Sequence, residues 1–92
     1  GAPAGQGHDA SDPNLALFQW LVPPRLKALR IAIDEGREED ALRVVHMLRP
    51  QLVEHDHRAF AGLCDRVLKE EGTDAWSDRA RALADAIETA LA

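Results

Sequence analysis

Between residues 15 and 91, apolar side chains recur every three or four positions, in runs closed by proline, glycine or a capping acid. That spacing is one face of an α-helix, and it leaves little room for any other element. Leu15, Phe18, Leu21 and Val22 form the first face. Leu26, Leu29 and Ile33, with Ala32 beside them, form the second. Ala41, Val45, Leu48 and Leu52 make the third, and Phe60, Leu63, Cys64, Val67 and Leu68 the fourth. Trp76, Ala80, Leu83, Ile87 and Leu91 make the last. No stretch sustains the two-residue alternation of a strand. Alanine is the commonest residue, β-branched residues are scarce and tyrosine is absent, a bias toward helix. The chain reads as all-α.

The punctuation sets the boundaries. Asp12-Pro13 looks like an N-cap followed by proline at the first helical position. Pro23-Pro24 is expected to end this short helix and start the next, which runs to about Glu35 and is capped by Gly36. Glu38, Glu39 and Asp40 suit the positive end of a third helix that continues to about Glu54. Asp56 can cap a fourth helix, closed by Gly72, and Thr73 or Asp74 can cap the last. Short connections favour antiparallel neighbours. The expected fold is an up-down antiparallel four-helix bundle with a short N-terminal capping helix. Residues 1–11 lack periodicity and read as a disordered lead-in or cloning remnant, leaving 12–92 as one domain.

Composition narrows the function. Of 92 residues, 11 are Lys or Arg and 16 Asp or Glu, a net charge of −5. A basic face for phosphate backbones is missing, so nucleic acid is not expected as a partner. No apolar run reaches the ~18 residues of a membrane span, and no secretory leader pattern opens the chain. A single cysteine, Cys64, excludes an internal disulfide and a cysteine-rich zinc site. It lies on an apolar stripe and reads as a buried structural thiol. The Glu54-His55-Asp56-His57 cluster is either a metal site or a helix corner with a capping aspartate, and consecutive residues rarely converge on one ion. The corner is the expected reading, with no metal. Trp20 and Trp76 are expected to pack in the bundle, or Trp20 to cover its open end. No carboxylate pair, nucleophile–base spacing or nucleotide loop marks an autonomous enzyme.

The third helix carries the residue of interest. At about 100° per residue, His46 points roughly 130° away from the core direction set by Ala41, Val45, Leu48 and Leu52. It is therefore expected on the surface in mid-helix. Leu42, Val53, Arg49 and Pro50 border it, and Met47 adds a further exposed apolar side chain. A polar group in an apolar surround is a common form of partner surface.

Residues 37–70 resemble the histidine phosphotransfer (HPt) domains of bacterial phosphorelays, and a looser likeness runs from about Leu15 to Leu91. The family motif is His-x-Leu-Lys-Gly in mid-helix, followed by a turn and a second helix. Here it reads His46-Met47-Leu48-Arg49-Pro50, and the next helix carries Phe60-Ala61-Gly62-Leu63-Cys64-Asp65. The resemblance implies that His46 accepts a phosphoryl group from a receiver-domain aspartate and passes it to a response regulator. Arg49 would balance charge on the phosphoryl oxygens, and Leu42, Met47, Pro50 and Val53 would dock the receiver. The receiver would supply the aspartate and Mg²⁺, and this domain would need no cofactor of its own. The implied setting is a cytoplasmic monomer without direct membrane contact, for example the C-terminal module of a hybrid sensor kinase. Two positions depart from the pattern. Arg49 keeps the charge of the usual lysine and changes its geometry. Pro50 replaces the usual glycine and removes the amide that would bond the His46 carbonyl, which is expected to kink the helix. That leaves open a degenerate, non-catalytic helical interaction module.

Overall fold

The computed structural model describes residues 13–92, so the expected lead-in at 1–11 lies outside the described residues. Four helices pack together: α1 (Pro13–Asp34), α2 (Glu38–His55), α3 (His57–Lys69) and α4 (Trp76–Leu91). No strand occurs among the described residues. Each helix packs on the next, and α1 also packs on α4.

The expected break at Pro23-Pro24 does not occur. The proposed capping helix and the helix after it are one continuous element, with both prolines inside it. The reason lies in which face the prolines occupy. Both are exposed, while Phe18, Val22, Leu26 and Leu29 run through the same segment on the buried face. An interior proline costs about 3 kcal/mol. Burying four large apolar side chains in a common core returns roughly 1.5–3 kcal/mol each. The carbonyls that lose their donors belong to Gln19 and Trp20, which face water.

Most other boundaries follow the sequence. Gly36 takes φ 70°, with its N–H bonded to the Ile33 carbonyl and the Arg37 N–H bonded to that of Ala32. This pair of bonds is a Schellman closure, and it needs a left-handed residue at position 36. Asp56 caps α3 by accepting the Ala59 N–H at 3.2 Å. The entry to α4 differs from expectation. Thr73 accepts the Ala75 N–H and donates to the Glu70 carbonyl, which ties up the loop, and no side chain caps the helix.

The core holds side chains from all four helices. Phe18, Val22 and Leu29 of α1, Val45, Leu48 and Leu52 of α2, Phe60, Cys64 and Val67 of α3, and Leu83 and Ile87 of α4 belong to one buried cluster. Every stripe predicted for the third helix is buried, which fixes the rotation of α2 and so the direction in which its other face points. Trp76 packs at 8% exposure, but Trp20 stands 80% exposed, neither packed nor covering anything.

Candidate functional site

His46 sits near the middle of α2 and is exposed to solvent. The burial of Ala41, Val45, Leu48 and Leu52 forces this, because a helix that turns those four inward turns residue 46 outward. Acidic residues fill the first turn of α2 and complement its dipole. The Glu38 carboxylate also accepts the Gly72 N–H, which seats the α3–α4 loop against that end of α2. The result is an open groove of about 610 Å³ with His46 in its wall. Leu42 forms its apolar floor, Arg43 stands beside His46, and Glu38, Glu39, Glu71 and Gly72 complete the rim.

The four residues expected to dock a partner do not form one even face. Pro50 and Met47 are exposed and Val53 is half-buried. Leu42 is a core residue at 7% exposure, because the 71–72 loop covers its flank. Met47 lines a second groove of about 330 Å³ between α1 and α2, together with the exposed Ile31. Helix α2 runs unbroken through Pro50. Position 50 has no amide to offer the His46 carbonyl.

Arg49 reaches across to α3. Its Nε donates to Asp65 Oδ1 at 3.2 Å and its Nη2 to Oδ2 at 3.5 Å. The guanidinium is thus engaged in a forked ion pair and is not among the side chains that line the groove of His46. Arg43 is the residue that sequence reasoning missed. It precedes His46 by three positions, as Arg49 follows it by three, so each lies one turn away, the two on opposite flanks of the line through residue 46. That spacing was the available signal. Arg43 is 66% exposed, and its ion pair with Asp40 is long, at 3.6 Å.

No protein-family model, curated protein or solved structure matches the chain.

The remaining polar clusters have local explanations. His55 stacks flat on Phe18, with ring centroids 3.8 Å apart and planes inclined by 10°. Asp56 spends its carboxylate on the α3 cap. The Glu54–His57 segment thus forms a helix corner. No group of three or more potential metal-ligating side chains converges among the described residues. Cys64 is fully buried, and burial pushes its thiol up from 9.0 to about 11, with the nearby Arg49 partly opposing and Asp65 adding to the shift. It is packing material, not a nucleophile. No helix among the described residues is long and apolar enough to cross a membrane.

Proposed function

We propose that the chain is a phosphorelay intermediate in which His46 carries the phosphoryl group. The ring nitrogen not bearing a proton attacks the phosphorus of a receiver's aspartyl phosphate. The N–P bond forms as the P–O bond breaks, and the receiver's aspartate leaves as a carboxylate. Attack by a second receiver's aspartate reverses the step. The receiver brings the aspartate and Mg²⁺, and this chain supplies an accessible imidazole, neighbouring cations and an apolar flank. It needs no cofactor and has no autonomous kinase activity in this reading. The single observation that carries the proposal is an exposed imidazole in mid-helix with an arginine one turn to either side.

We further infer an up-down antiparallel four-helix bundle, monomeric and cytoplasmic. Cross-helix pairs support the antiparallel order. Arg25 meets Gln51 across α1 and α2, Arg49 meets Asp65 across α2 and α3, and Arg30 meets Asp85 across α1 and α4. Along α1 and α4 the pairs run in opposite order, Arg30 with Asp85 and Asp34 with Arg81.

The test is transfer from a phosphorylated receiver in the presence of Mg²⁺. Acid-labile, base-stable phosphate is expected on the wild type and absent from His46→Gln. Equal labelling of both proteins, or none on either across a panel of receivers, overturns the relay role. One observation favours a second reading, a non-catalytic interaction module. Pro50 stands exposed one turn after His46, where the resembled motif has glycine. Receiver binding that survives His46→Ala, without phosphate uptake, is the outcome that reading expects.

A further inference from the structure

Resting on the relay reading and deepening it, we propose that Arg43, rather than Arg49, is the principal cation that holds a phosphoryl group on His46. Three observations converge. The first is reach, since residues 43 and 49 are each one turn from residue 46 and neither has an advantage by spacing. The second is commitment. Arg49 is drawn toward α3 by two hydrogen bonds to Asp65, and moving it to His46 would leave that carboxylate alone. Among the described residues Arg43 makes only the 3.6 Å ion pair with Asp40, beyond hydrogen-bond length and open to water, so redirecting it costs little.

The third observation is the charge of the groove. Its lining carries Glu38, Glu39 and Glu71, and among the described residues Arg43 is the only arginine or lysine in that lining. A phosphoryl dianion on this side of His46 meets three carboxylates. The Glu38 carboxylate is occupied by the Gly72 N–H, but Glu39 lies two turns before His46 on almost the same line of α2. Without Arg43 the phosphoryl oxygens would face acid alone. With it they gain charge-assisted donors on the flank where repulsion is greatest. Glu39 is then the opposing element, limiting how tightly the phosphoryl group is held.

Potassium phosphoramidate is a small donor that tests this without a receiver. The unprotonated ring nitrogen attacks phosphorus, the donor's P–N bond breaks, and ammonia leaves. Phosphohistidine formation is followed by intact-protein mass and ³¹P NMR. Wild type labels and His46→Gln does not. The initial rate is expected to fall about tenfold in Arg43→Ala, the loss of one charge-assisted contact in the transition state. Arg43→Lys recovers most of the rate, Arg49→Ala loses less than Arg43→Ala, and Glu39→Gln labels faster than wild type. Unchanged far-UV circular dichroism excludes misfolding of these exposed-site variants. Labelling of Arg43→Ala at the wild-type rate, or a deeper loss in Arg49→Ala, overturns the role of Arg43 while leaving the relay reading intact. Equal labelling of wild type and His46→Gln, or none on either, overturns both.

Discussion

At the scale of single residues, burial and partners decide what each side chain can do, and Cys64 shows it most sharply. Its sulfur is inside the core, and loss of water raises the thiol from 9.0 to about 11. In the unfolded chain the same thiol ionises at the ordinary value. Its contribution to stability is therefore complete below pH 9 and is lost as pH rises toward 11, because only the unfolded state gains by releasing the proton in that window. Urea melts across this range are expected to show a steeper decline for wild type than for Cys64→Ala. Parallel declines would show that the thiol stays protonated in both states or is accessible in the fold. A thiol-specific reagent should react with the native protein only at the rate of unfolding. The residue scale also shows where sequence reading ends. Trp20 and Trp76 are the same amino acid and both were expected to pack or cover the bundle, yet Trp20 is exposed and Trp76 is buried. Apolar character alone does not place a side chain inside, because folded surfaces are largely apolar. The Phe18–His55 stack had no periodic signal at all, since it joins two helices at their ends.

At the scale of elements, proline has the sharpest effect. Pro50 interrupts the hydrogen-bond ladder of α2 directly above His46, yet the helix continues. The helical cost of proline relative to alanine is about 3 kcal/mol, and proline repays up to roughly 1 kcal/mol by restricting the unfolded chain. Pro50→Ala is thus expected to stabilise the protein by about 2 kcal/mol. The measurement is the urea midpoint, which should rise with little change in slope. No rise would mean that the ladder around residue 50 is already relaxed at no cost. The same comparison explains what the sequence made legible. Helices α2 and α3 were readable because stripe, cap and turn agreed, whereas α4 was legible from its stripe alone: Asp56 before α3, Gly36 before α2 and the acidic first turn of α2 all act as their chemistry suggests. Pro23-Pro24 misled because backbone preference and side-chain burial disagreed there, and burial won. The rotation of α2 was legible from four core residues, so the exposure of His46 was too. The groove beside it was not, since Glu71 and Gly72 arrive from a loop more than twenty residues away.

At the scale of the whole molecule, the question is what holds the face of α2 in place, surface charge or core. The first and last helices are joined by Arg30, which donates to Asp85 at 2.9 Å and also pairs with Glu88, and by Arg81 near Asp34. The two carboxylates hold the Arg30 guanidinium above its ordinary range, with the Asp85 hydrogen bond the largest cause. Yet every acidic partner in these pairs is well exposed, and water and salt weaken such pairs to less than about 1 kcal/mol. Beside them in sequence or across the same contact lie Leu29 and Leu83, both fully buried. Truncating either leaves a cavity in the shared core and costs about 2–5 kcal/mol. Arg30→Ala is accordingly expected to lower stability by less than about 1 kcal/mol, and by still less in high salt. Leu29→Ala, one residue away, is expected to cost several times more at any ionic strength. Urea melts of the two variants at low and high salt separate the cases. If Arg30→Ala proved as damaging as Leu29→Ala, the bundle would be closed by charge, and the presentation of His46 would itself vary with salt. If the core dominates, salt acts on events at the exposed His46 face without loosening the scaffold that presents it.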